Sequence, residues 1–423
     1  MEREDRAGAV LNYLKTRRDE MIGFACQLVA TPSINPPGDE RAVTEVVLTK
    51  MKELGLEGAE VLARTPERPN IIYRQRGKSG SPRLIFNGHT DTKPVGEEDR
   101  KLWQTDPLEP TIIDGKIYGL GSTDMKGGVT AMVYAAAALH SLADPLQGDL
   151  LLILVANEEA PGEFGANWLV KNHDIQADFC LVAEPCGIEK EFESLPVCAR
   201  STVLFKTKVY GTQMHSSISD MFPSVNASVK MGWVLWRMAK DLRLHYEPHP
   251  YYPKGPTVNL GDVVSGGLHY GVYPGYGEFG SDIRIHPGMT REEVKRDLEV
   301  FIEGLRREDP ELKVELEFAG EGRKEKWKWL RGDEPFVGIV QRASEQVLGQ
   351  PPSLGGFPAF TDAYWFHTYA GIPSIPAFGP GLLPLAHGPN EYVSTEGIIQ
   401  ASKIYALAAL EYLDSAGSRG EMT

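Results

Sequence analysis

The sequence predicts an α/β fold: a mainly parallel sheet flanked by helices, interrupted by an inserted α+β unit. Three observations carry that expectation. Short apolar runs alternate with helix-spaced segments through the first half of the chain. Those runs lead straight into His, Asp or Glu. The 423 residues exceed one core of ordinary size, and the texture changes near Arg200 and reverts after Gly320.

Apolar positions recur at helical spacing over Ala9 to Val29 and Glu40 to Leu54. The second stretch follows the breaker-rich loop Pro32-Ser-Ile-Asn-Pro-Pro-Gly-Asp. Buried strands are expected at Arg83-Leu-Ile-Phe, Leu150-Leu-Leu-Ile-Leu-Val-Ala and Asp178-Phe-Cys-Leu-Val-Ala. Helical patterns over Met125 to Leu142 and Gly165 to Asn172 lie between them. From Ser201 to Tyr210 the pattern alternates like a half-exposed strand. Helices over Ser224 to Leu242 and Thr290 to Arg306 follow, with strands at Thr257 to Val264, Gly277 to Ile285 and Leu312 to Phe318. Two further helices, Phe336 to Leu348 and Thr395 to Leu413, restore the first texture. The expected organisation is a discontinuous domain of residues 1–199 and 320–423 with residues 200–319 inserted.

Composition excludes several classes. Forty-four Lys and Arg against 58 Asp and Glu give a net charge of −14, which argues against nucleic acid or an anionic membrane as partner. The charged start, Met1-Glu-Arg-Glu-Asp-Arg, is unlike a secretory signal. Cys26, Cys180, Cys186 and Cys198 form no CxxC pair, so the expected location is the cytoplasm.

The chemistry gathers where the strands end. The runs deliver Asn87-Gly-His89-Thr-Asp91, Asn157-Glu158-Glu159 and Ala183-Glu184-Pro; Gly119-Leu-Gly-Ser-Thr-Asp124 precedes a helix, and His387 sits in Ala386-His387-Gly-Pro-Asn-Glu. In a parallel sheet such positions converge on one edge, where ligands bind. Singly, each has a plainer explanation. An Asp before a helix is usually an N-cap, and adjacent Glu are usually solvated. Jointly that explanation fails, because each charged group follows a strand that would otherwise be buried. No Walker ending, HExxH helix or Gly-x-Ser-x-Gly elbow competes.

These segments resemble, in order and over nearly the whole chain, the M20 metallopeptidase family, the group of aminoacylases, acetylornithine deacetylases and carboxypeptidase G2. The resemblance implies a di-metal exopeptidase-like fold with an inserted lid and dimerisation domain. It implies two divalent metal ions, commonly zinc, with manganese or cobalt as alternatives. Asp124 would bridge them, with His89 and Glu184 completing one shell and Glu159 and His387 the other. Asp91 would orient the His89 imidazole, and Glu158 would act as general acid/base. In the lid, Gly211-Thr-Gln-Met-His215 resembles the motif whose His donates to a developing oxyanion, in dimeric relatives across the subunit boundary. Asp282-Ile-Arg284 resembles the strand whose Arg clamps a substrate carboxylate, a strand-edge salt bridge being the alternative. Thr361 is carried over as a second substrate contact, and a homodimer through the lid is expected.

Two departures bear on substrate. Gly271 stands where the lid loop commonly has Asn, and the stretch from His215 to Asn226 is slightly longer than usual and lacks the customary Pro soon after the His. Aromatics crowd nearby: His269, Tyr270, Tyr273, Tyr276, Phe357, Phe360, Tyr364 and Trp365. The expected function is hydrolysis of a C–N bond in a small carboxylate-bearing molecule, an N-acyl amino acid or small peptide. The alternative is hydrolytic deamination of an aromatic amine, by resemblance to 5-nitroanthranilate aminohydrolase.

Overall fold

The computed structural model describes residues 3–160, 162–319 and 329–415. The chain divides into two compact units, one of residues 1–198, 328–357 and 361–423, the other of 199–327 and 358–360. The expected return to the first domain at residue 320 lies outside the described residues.

The first unit is built on a six-stranded sheet. Across it run Glu60–Ala63, Pro69–Gln75, Asp149–Val155, Arg83–His89, Phe179–Val182 and Ser374–Ile375. The last four are mutually parallel; the first two form an antiparallel edge. Asp149–Val155 and Phe179–Val182 are buried at every position, which explains their unbroken apolar runs. The antiparallel edge has no such signature, since Glu60–Ala63 is largely exposed. The segment from Ala9 to Val29, read as one helical pattern, is two helices, Arg3–Thr16 and Arg18–Val29, parted at Arg17.

The helix Gly127–His140 matters most for the site. All its residues except His140 are buried, so it is apolar all round rather than amphipathic. Its run of alanines lets it lie against Thr395–Asp414, which itself packs on Pro335–Leu348. At its start a Cβ on Gly128 would stand 2.4 Å from the Ala183 carbonyl oxygen. That contact sets the helix directly against the chain leading into Glu184.

The second unit is a four-stranded antiparallel sheet in the order Thr257–Gly266, Tyr276–Ile285, Ser201–Tyr210, Lys313–Phe318. Its core comprises Val203, Phe205, Val209, Phe279 and Ile283 from the strands, with Val234 and Met238 of helix Ala227–Asp241 and Leu298 and Ile302 of helix Arg291–Glu308. Both helices are capped by side chains: Asn226 accepts the Val229 N–H, and Thr290 and Glu293 form a reciprocal capping box. Among the described residues no helix is long and apolar enough to cross a membrane.

Two glycines in helices should respond oppositely to alanine. Gly304 has open space where a Cβ would go, so Gly304→Ala should stabilise the second unit by about 0.5–1 kcal/mol. Gly128→Ala must displace backbone and should cost about 1–3 kcal/mol. Urea unfolding of both variants checks the pair; equal shifts would contradict the close approach at Ala183.

Candidate metal centre

The sheet register sets the geometry. His89, the last residue of its strand, pairs with Val155, and Asn87 pairs with Val182. Glu158, Glu159 and Glu184 therefore emerge just beyond the same edge. Asp124 arrives on the turn before helix Gly127–His140, with φ −118° and ψ 92° breaking the helical path. His387 comes from the loop between Leu383–Leu385 and the strand Tyr392–Ser394.

Two donor clusters result, and they share Asp124. His89, Asp124 and Glu184 hold ligand atoms all within 4.8 Å of one another, as do Asp124, Glu159 and His387. Asp124 gives one oxygen to each: Oδ1 is 3.1 Å from His89 Nε2, and Oδ2 is 3.3 Å from His387 Nε2. Glu184 Oε1 lies 3.4 Å from His89 Nε2, and Glu159 Oε2 3.0 Å from His387 Nε2.

Asp91, fully buried, stands behind this arrangement. Its Oδ1 is 3.5 Å from His89 Nδ1, and it accepts the main-chain N–H groups of Glu158 and Glu159, each at 3.1 Å. His89 Nδ1 also lies 3.0 Å from the Asp91 carbonyl oxygen, so one residue orients a histidine through its main chain and fixes, through its carboxylate, the turn carrying the glutamate pair. Asn157, with φ +59°, makes that turn possible. Asp91 is steadied in turn by Asn35, whose Nδ2 donates at 2.7 Å. Arg68 donates to Asn35 Oδ1 at 3.1 Å and pairs with the buried Glu40.

The electrostatics express crowded negative charge. Burial pushes Glu184 up to about 8, and repulsion from Asp124 adds to it. Burial also raises Glu158 well above the carboxylate range, reinforced by Glu184. Burial would lower both histidines, but their carboxylate partners win. Asp124, Asp91 and Glu184 raise His89 far above an ordinary imidazole, and Asp124 and Glu159 bring His387 to about 10. Without a cation, the site holds its charge by holding protons.

The donors suit divalent ions. Each cluster offers one imidazole and two carboxylates, with no thiolate, a set suited to zinc, manganese or cobalt alike. Once deprotonated, Asp124, Glu159 and Glu184 would present three carboxylate charges to the two clusters, which two divalent ions would offset.

The structure brings together His89, Asp91, Asp124, Glu158, Glu159, Glu184 and His387. Thr361 belongs to the same unit but is buried, its Oγ1 accepting the Ala363 N–H at 3.3 Å. His215 and Arg284 belong to the second unit. His215 is exposed, its Nδ1 accepting from Ser217 N–H at 3.2 Å. Arg284 is engaged by Asp282 on its own strand, Nε and Nη2 both 2.7 Å from Oδ2. Phe357, Tyr364 and Trp365, counted with the aromatics that hinted at a flat substrate, are each 2% exposed and belong to the core.

Sequence reasoning missed Asn35, Lys93, Lys126, Asp362 and Glu391. Lys93 Nζ lies 3.3 Å from Glu159 Oε2. Lys126 is buried with its Nζ donating to the Thr31 carbonyl at 2.9 Å, and burial lowers it to about 7. Burial raises Asp362 to about 7, with His89 pulling the other way. The available signal was adjacency: Lys126, Asp362 and Glu391 stand within four residues of Asp124, Thr361 and His387.

Comparisons with known proteins identify the family. The sequence pattern of Peptidase family M20/M25/M40 matches residues 85–411. N-formyl-4-amino-5-aminomethyl-2-methylpyrimidine deformylase of Halalkalibacterium halodurans is 26% identical over 93% of this chain and 94% of its own length. The structure of the dipeptidase Dug1p from Saccharomyces cerevisiae superposes with a TM-score of 0.73 at 15% identity, covering 98% of this chain and all of that one. That of Bacillus subtilis YXEP, a dinuclear metal-binding peptidase, gives 0.63 at 16% identity, covering 95% and 99%. With the family pattern spanning 85–411, and so the strand-end residues of both clusters, this chain belongs to peptidase family M20/M25/M40.

Proposed function

We propose that the chain hydrolyses the amide C–N bond of a small carboxylate-bearing molecule, an N-acyl amino acid or short peptide, at a centre of two divalent ions, zinc foremost. The observation that carries this reading is Asp124, which gives one oxygen to each of two otherwise separate clusters. Bound there, two ions would lower the pKa of a shared water and stabilise charge on the attacked oxygen.

The chain's own residues do the rest. Glu158 stays outside both clusters, and its main chain is held by Asp91. A carboxylate with raised proton affinity suits a group that takes water's proton and passes it to the leaving amine. His215 is assigned a donor role toward the oxyanion and Arg284 a contact with the substrate carboxylate. The Asp282–Arg284 pair holds that guanidinium in one orientation, ready for a second carboxylate. Thr361 is assigned the second substrate contact.

Glu158→Gln should lower turnover by about 10²–10⁴-fold while leaving metal content unchanged. The assay is a panel of N-acyl amino acids, dipeptides and aminobenzoates on zinc-loaded protein. Acid or amino-acid release from the first two groups supports the amide reading; ammonia from aminobenzoates alone would replace it by aromatic deamination.

Metal uptake should also depend on pH. Groups with raised pKa, His387 at about 10 and Glu184 at about 8, are protonated at neutral pH and must lose those protons to a cation. Apparent affinity should therefore fall by roughly tenfold per pH unit below about 10, where His387 takes its proton, and more steeply below about 8, where Glu184 does too. Calorimetry in buffers of differing ionisation heat reads the protons released; none released would contradict the assigned ligands.

A homodimer through the second unit is part of the proposal. Strand Thr257–Gly266 is a sheet edge whose Val263 and Val264 are 68% and 53% exposed, an edge suited to a second copy. Mixing Glu158→Gln with His215→Ala, each inactive alone, should restore some activity if His215 acts across the subunit boundary. Verified mixed dimers that stay inactive would put His215 in its own subunit's site or in none. A reducing cytoplasm suits Cys26, Cys180 and Cys186, which are free thiols.

A further inference from the structure

Glu391 has no part in the chemistry assigned above, yet it is only 1% exposed and lies beside the site. Its carboxylate accepts three main-chain N–H groups: Gly121 on Oε2 at 2.9 Å, and Thr123 and Asp124 on Oε1 at 2.9 and 3.0 Å. The flanking chain adds two more links, Gly119 N–H to the Glu391 carbonyl at 3.0 Å and Thr123 Oγ1 to the Tyr392 carbonyl at 2.5 Å. A plain helix cap would explain a carboxylate near a helix start. But helix Gly127–His140 begins three residues after Asp124, so these donors belong to the turn before the helix.

The loop carrying Glu391 also carries His387. The same construction occurs on the other side of the site, where the segment carrying His89 also carries Asp91, which accepts the N–H groups of Glu158 and Glu159. Each histidine segment thus brings a buried carboxylate that grips, through main-chain N–H groups, the turn bearing an acidic donor. The two halves are cross-braced. Gly121 shows how tight the gripped turn is: at φ +75°, a Cβ there would stand 2.3 Å from Thr92 Cγ2.

We propose that Glu391 is a positioning residue for the two-metal centre, fixing the turn that presents Asp124 and tying it to the loop that supplies His387. The proposal rests on reading His89, Asp124, Glu159, Glu184 and His387 as metal ligands. Glu391→Gln keeps the side chain's size but turns one acceptor into a donor facing other donors.

The test combines amide exchange on metal-stripped protein with zinc competition against a chelator. In wild type, the Gly121, Thr123 and Asp124 amides should be protected before any metal is added. In Glu391→Gln, exchange at these amides should rise by about tenfold or more, with helix Thr395–Asp414 unchanged. Affinity for both zinc ions should fall together, by about 10- to 100-fold. The drop should appear in kcat with little change in KM. Unprotected amides in the wild type would overturn the proposal even if the variant fails to fold. So would unchanged zinc affinity in the variant, or faster exchange spread through the whole unit, which would make Glu391 a fold residue only. A wild-type protein that binds no zinc would instead sink the metal reading.

Discussion

Asp124 has to face His89 and His387 at once, one oxygen to each, although these histidines arrive from segments nearly three hundred residues apart. A carboxylate can do this only if its main chain is held from more than one side. The turn before helix Gly127–His140 meets that demand by leaving helical geometry at Asp124 and Met125. The helix behind it is apolar on all sides and packed against Thr395–Asp414, so the turn rests on one of the most deeply buried elements of the unit. The parallel strands then bring the remaining donors to the same edge.

Concentrating that much negative charge in a buried place is unfavourable unless it is offset. The structure offsets it in two ways. Asp91 and Glu391 accept main-chain N–H groups, and Asp91 also faces His89, which lets them stand close to the ligand carboxylates. Around Asp124 the offset comes from imidazoles whose proton affinity is raised by the same carboxylates. Two divalent ions would serve this second purpose better. The site's demand for cations and its capacity for hydrolysis therefore share one cause.

Much of this was legible beforehand because buried parallel strands cannot alternate. Their continuous apolar runs stand out, and a charged residue immediately after one calls for an explanation. In the antiparallel edge, Glu60–Ala63 escaped notice because an exposed short strand has no such pattern, and Pro69–Gln75 because polar Asn70, Arg74 and Gln75 interrupt its apolar run. The aromatics around Thr361 misled for a different reason. Residue type does not say whether a ring faces a cavity or the core, and Tyr364 and Trp365 face the core. Asn35 and Glu391 were silent because a polar loop residue has no period, and their partners lie 56 and 267–270 residues away.

The sequence by itself determined the fold class, the order of the elements and the residue types that converge on one sheet edge. These follow from hydrophobic periodicity and from chain topology, both local properties that a linear reading can recover. Tertiary structure alone decided that Asp124 divides its oxygens between two clusters, that Asp91 grips the Glu158–Glu159 turn, and that Glu391 grips the turn of Asp124. Such links are directional hydrogen bonds of about 3 Å between distant segments. Their existence depends on where the packed elements place each main-chain N–H, which no local pattern encodes.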